Sequence, residues 1–158
     1  MAFQSYASFK GTKQGQLKGA ATKANRSDKW SEVVSFEMGR EVPLDPSGGG
    51  QQGKRRHHPI VITREVDSTS SELLQACFTS EVLLEVVIET RLQGHVAKRI
   101  TLGDALIGKF LRFTKSPHGT ATRKPNFLEE FSFTFGKILV ENLAAGTSTT
   151  DDVTANNQ

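Results

Sequence analysis

Pro59-Ile60-Val61-Ile62-Thr63-Arg64-Glu65-Val66-Asp67-Ser68-Thr69-Ser70-Ser71-Glu72-Leu73-Leu74-Gln75-Ala76-Cys77 holds a strand, a corner and a helix in one run. β-Branched residues fill its first part, so Ile60 to Val66 reads as a strand. Asp67 to Glu72 then supplies helix-start signals. Thr69 and Glu72 have capping-box spacing, in which the hydroxyl takes the amide of the residue whose carboxylate reaches back. The helix that follows, to about Thr79, pairs Leu73 with Cys77 and Leu74 with Phe78 at i,i+4. Three turns cannot hold themselves in water, so this helix must pack on a sheet.

Upstream, Phe3, Tyr6 and Phe9 alternate in a first strand, and Gly11, Gly15 and Gly19 punctuate a polar stretch with turn chemistry. Trp30 to Met38 reads as a strand with Val34, Phe36 and Met38 on the core face and Val33, Ser35 and Glu37 opposite. A long loop, about 39 to 59, follows; loops of this length in compact domains are usually functional or disordered.

Downstream, Val82, Leu84, Val86 and Ile88 form an apolar face, with Leu83, Glu85, Val87, Glu89 and Arg91 on the other. Val96–Leu102 and Ala105–Phe113 read as two strands broken at Gly103-Asp104. After a basic loop from Lys115 to Lys124, Phe127, Phe131, Phe133 and Phe135 share one face of a long strand. Its phase slips after Gly136, which suggests a β-bulge. The Thr-, Asp- and Asn-rich tail, 146–158, is expected to be disordered. Seven to nine strands and one helix make a mostly β domain over 1–145. A closed or nearly closed antiparallel β-barrel, built as two packed sheets with the short helix at its side, handles that many edges.

The 158 residues suffice for one sizeable core. Ten phenylalanines against one tryptophan and one tyrosine point to a Phe-rich core. A net charge of +3 is only mildly basic, and nucleic-acid binders concentrate far more Lys and Arg on one face. The single cysteine, Cys77, excludes an intramolecular disulfide and reads as an inert core thiol. Met1 to Tyr6 lacks a basic region leading into an apolar run, so no Sec-type signal is expected. No apolar stretch approaches the roughly 18 residues of a membrane span.

No catalytic signature is present. Gly48-Gly49-Gly50-Gln51-Gln52-Gly53-Lys54 looks faintly like a phosphate loop, but Arg55 stands where Ser or Thr should bind magnesium. His57 and His58 are adjacent and would point to opposite faces of a strand, and His95 and His118 sit in turns without acidic neighbours. No metal and no cofactor is expected. Lys54-Arg55-Arg56 has no interleaved aromatics, which argues against single-stranded nucleic acid as a partner, and the loop that carries it is a natural contact arm for a neighbouring subunit.

Three segments together resemble the Hcp (haemolysin-coregulated protein) family, the tube protein of type VI secretion systems. They are Val33–Gly39 with the glycine-rich loop, the quoted Pro59–Cys77 run, and Arg99–Ile107 joined to Glu130–Ile138. The match covers about residues 3 to 142. This chain departs from many members at Met38, where they carry Trp, in the basic character of its loop, and at Val140-Glu141-Asn142. The resemblance implies a β-barrel whose copies join sheet edges into a six-membered ring, and rings that stack into a tube. That tube would lie inside a contractile sheath, carry a spike protein at its tip and hold small effector proteins in its lumen. It would be made in the bacterial cytoplasm and expelled by the apparatus itself, which fits the absence of a signal and of a catalytic set. The alternatives are a tail-tube subunit of a phage-like or extracellular injection particle, or a monomeric barrel that binds a polyanion or ligand.

Within that reading, Leu83, Glu85, Val87 and Glu89 are ring-interface candidates, because their face is mixed rather than polar. Glu41, Asp45, Gly48, Gly49, Gly50, Lys54, Arg55 and Arg56 are ring-stacking candidates, with arginines able to meet carboxylates of the next ring. Val33, Ser35 and Glu37 are lumen candidates.

Overall fold

The computed structural model describes residues 3–17, 30–41, 56–114 and 127–152. Its elements are β1 Gln4–Gly11, β2 Gly15–Gln16, β3 Ser31–Val33, β4 Ser35–Glu37, β5 Arg40–Glu41, β6 Arg56–His57, β7 Ile60–Glu65, α1 Ser70–Thr79, β8 Leu83–Leu92, β9 His95–Thr114, β10 Phe127–Thr134, β11 Lys137–Asn142 and β12 Thr147–Asp152. Among the described residues the fold is mostly β, with one short helix. Every strand pairing is antiparallel.

The main sheet runs β2-β1-β8-β9-β10-β7-β4, with β3 on β1, β11 on β9 and β12 on β11. Among the described residues no ladder joins its two ends, so the sheet as described is not closed. Yet β3 and β4 are separated only by Val34, and one pairs with β1 while the other pairs with β7. The backbone N–H of Val34 donates to the carbonyl of Thr63 at 2.9 Å.

β9 organises the sheet. It is a single 20-residue strand where the sequence predicts two. Its first half lies between β8 and β11, and its second half pairs with β10. The expected break is a bend at Asp104, whose φ is 51°. Asp is among the few side chains that adopt this left-handed region readily. Opposite the bend, the N–H of Gly136 donates to the carbonyls of Gly103 and Asp104. The phase slip near Gly136 is therefore the joint between β10 and β11, and the register shift lies three residues earlier, between Ser132 and Phe133.

The core is aliphatic and phenylalanine-rich, built around Phe9, Ile60, Ile62, Leu73, Val86, Leu102, Phe131 and Phe133. Phe9 stacks on Phe133 with centroids 5.8 Å apart. Two strand phases differ from expectation. Val33 is buried in the core, while Val34 is exposed at the bend between β3 and β4. Leu83 is buried and Leu84 is exposed, because the β1–β8 register passes from Lys10↔Glu85 to Gly11↔Leu83 and leaves Leu84 as the extra residue. One bulged residue moves all that precede it to the other face.

The expected disordered tail begins instead with β12, a strand paired along the whole of β11. The turn into it uses Gly146 at φ 70°, where a side chain would be strained. Helix α1 also starts differently. Thr69 makes no side-chain cap bond; its hydroxyl donates to Asp67 at 2.6 Å. Leu73 and Ala76 face the core and Cys77 is half-buried, whereas Phe78 points to solvent.

At the helix end, Glu81 is buried and its carboxylate accepts the backbone N–H groups of Lys13 and Gln14, each at 3.2 Å. A Cβ built on Gly11 would lie 2.0 Å from that carboxylate. We expect Gly11→Ala to displace Glu81 and lower stability by about 1–3 kcal/mol. Thermal unfolding followed by circular dichroism checks this, and an unchanged Tm would contradict it.

Candidate functional site

Two strands that alternate apolar residues each place one charge on the core side. In β7 the inward series is Ile60, Ile62, Arg64; in β10 it is Glu129, Phe131, Phe133. Arg64 and Glu129 are directly opposite in the ladder. Both side chains are fully buried, and they form an ion pair at 2.8 Å.

Around this pair the corner folds up. Arg64 Nη1 donates to Asp67 at 2.9 Å and to Ser31 at 3.1 Å, and it also meets the hydroxyl of Thr69. Ser70 donates to Glu129 Oε1 at 2.7 Å and accepts the N–H of Asp67 at 2.9 Å. Arg112 reaches the second oxygen of Glu129 at 3.2 Å. The guanidinium lies 5.7 Å from the ring of Phe9 and 5.6 Å from that of Phe131. Two cations face two carboxylates, and the hydroxyls of Ser31, Thr69 and Ser70 fill in between. A buried charge must be compensated in this way. The Asp-Ser-Thr-Ser run thus serves Arg64 rather than capping the helix. Arg64, Glu129, Ser31, Thr69 and Ser70 are buried, Asp67 is half-buried and Arg112 alone reaches the surface, so the cluster is a structural pin.

A second charged row crosses the outer face of β8, β9 and β11. Glu89 is buried under Arg91, at 2.8 Å, and Arg99, at 3.1 Å. Arg99 extends to Glu141 at 3.8 Å.

These contacts show where the ring-interface candidates stand within the subunit. Leu83 belongs to the core, Glu89 is consumed by two arginines, and Val87 packs against a small cluster of Tyr6 and Trp30. Of the four, Glu85 alone is exposed. Among the lumen candidates, Val33 is core, while Ser35 and Glu37 are exposed on the outer side of β4. Glu37 lines an open depression of about 340 Å³ with His58, Pro59, Val61 and Ser132. Of the stacking candidates, Glu41 and Arg56 stand opposite each other in the β5–β6 ladder. Asp45, Gly48, Gly49, Gly50, Lys54 and Arg55 lie outside the described residues. Among the described residues, no group of His, Cys, Asp and Glu could hold a metal ion.

Sequence reasoning missed Arg64, Glu129 and Arg112. The available signal was a charge standing at an apolar position of an alternating strand, in both β7 and β10.

Residues 6–141 match the family model described as "Type VI secretion system effector, Hcp". The chain is 31% identical to the "Major exported protein" of Pseudomonas aeruginosa, over an alignment that covers 96% of each. A solved structure of an Hcp protein superposes with a TM-score of 0.87 at 21% identity, covering 96% of this chain and 98% of the other. The secreted protein Hcp3 of Pseudomonas aeruginosa gives 0.74 at 27% identity, covering 96% and 98%.

The buried pair generates a prediction. Arg64→Ala leaves buried Glu129 with only the partly exposed Arg112 and half-buried Asp67 without its cation, and it should cost about 3–5 kcal/mol in urea unfolding. A loss below about 1 kcal/mol would show that the cluster does not hold the fold.

Proposed function

The chain belongs to the Hcp family, whose members are structural tube subunits of type VI secretion systems and not enzymes, and from that premise we propose that it assembles as a six-membered ring that stacks into an expelled tube. The observation that carries the ring is a pair of open strand edges. Past Ala105, β9 pairs with β10 on one side, and among the described residues no strand pairs with its other side. β12 likewise pairs with β11 alone. Open edges invite another chain, and two different edges on one molecule make the heterologous contact from which rings are built.

Within each subunit the β3–β4 segment completes a barrel, by bridging β1 and β7 through Val34. The loop from Gly39 to His58 contributes to ring stacking through Glu41, Asp45, the glycines and Lys54-Arg55-Arg56. The outer face of β4, with Ser35 and Glu37, lines the lumen and touches effector proteins carried there. Such a tube takes a spike protein at its tip and a contractile sheath around it. The subunit is made in the cytoplasm and exported by the apparatus.

Size-exclusion chromatography with light scattering tests the ring. The expected mass is about six times the 17.3 kDa subunit; a monomer at all concentrations would overturn the reading. Glu37→Lys should leave the ring mass unchanged, since this side chain is exposed, and should alter which effectors co-purify. Unchanged effector recovery would remove Glu37 from the lumen contact.

A further inference from the structure

The two ends of the molecule carry apolar features of opposite shape. At one end, β4, β8, β9 and β11 surround an open cavity of about 360 Å³. Phe36, Met38, Ile88, Ile100 and Val140 give it an apolar lining, and Lys98 and Glu141 supply its charges. Met38 is 46% exposed there. A dry apolar cavity of about 150 Å³ is already enough to bind benzene, so this one admits an aromatic side chain.

The other end carries a knob. Phe127, the first residue of β10, is 61% exposed, and Val66, just past β7, is exposed beside it. The N–H of Val66 donates to the carbonyl of Phe127 at 3.2 Å, which holds the two side by side. That they lie at opposite ends follows from β9. The cavity takes Lys98 and Ile100 from near its start, whereas Phe127 stands opposite Thr114, its last residue.

A knob and a hole on opposite ends of one chain cannot satisfy each other within that chain. They can do so between copies, and because the contact is heterologous and displaced along one direction it repeats without closing. Both features expose apolar surface that water disfavours. We propose that Phe127, flanked by Val66, seats in the Phe36–Met38–Val140 cavity of a second copy in the adjoining ring, and that this is an apolar ring-to-ring contact of the tube. The inference rests on the tube-subunit reading and deepens it. It places stacking at the cavity end, where Met38 leads directly into the loop that starts at Gly39.

The test is disulfide trapping in the full chain. Met38→Cys and Phe127→Cys are combined in a Cys77→Ser background, and the protein is oxidised and run on a non-reducing gel. The expected result is a ladder that climbs past the number of subunits measured in one ring by light scattering, with each single-cysteine variant stopping at a dimer. A ladder that ends at the ring number would put the contact inside a ring and overturn the proposal. Intact rings without cross-links would overturn it too, while a monomer would sink the tube reading and the contact with it. As a second arm, Phe127→Asp should keep rings at wild-type mass and cut the tube fraction pelleted by ultracentrifugation at least tenfold. Wild-type pelleting would contradict the contact.

Discussion

Arg64 and Glu129, fully buried and paired at 2.8 Å, tie β7 to β10 beneath the corner that leads into α1. A guanidinium removed from water is tolerated only with charge compensation and hydrogen bonds around it. Meeting that demand draws in Ser31 from β3, Asp67 and Thr69 from the corner, Ser70 from the helix, Glu129 from β10 and Arg112 from β9. The angle at which β7 turns into α1 is set by these contacts, and the helix then seats Leu73 and Ala76 on the core. Through Ser31 the same cluster fixes β3, and so the segment that reaches from β1 to β7.

This arrangement commits the chain's buried charges to holding the fold. The most buried charges are spent on one another, at Arg64 and again at Glu89 with Arg91 and Arg99. Among the described residues, the outside also carries open strand edge and scattered apolar surface: the outer side of β12, the far half of β9, Phe127 and the mouth around Met38. These are materials for contact between copies, in keeping with a family of tube subunits.

The strand–corner–helix run from Pro59 to Cys77 was legible because its periodicity changes from two to about 3.6 at a cluster of short polar residues. The Phe-rich core was legible for the same reason, since alternating phenylalanines have few other uses. What escaped was phase. Val33 and Leu83 lie on the face opposite to the one their neighbours imply, because the chain bends at Val34 and bulges at Leu84. Both events depend on a partner strand far away in sequence, so no local pattern encodes them. β12 was missed because Thr and Asp carry no apolar period; its pairing comes from the open backbone edge of β11. Thr69 and Glu72 had capping-box spacing, but a buried arginine competes for the threonine hydroxyl and wins.

Cryo-electron microscopy of the assembled protein would show both the subunit fold and the contacts between copies. The expected particle has six-fold rings in which Arg64 and Glu129 stay paired inside every subunit, and in which copies meet through strand edges and chain ends. A particle with the Arg64 cluster opened toward a neighbour or a bound molecule, or a protein that stays a single subunit, would contradict it.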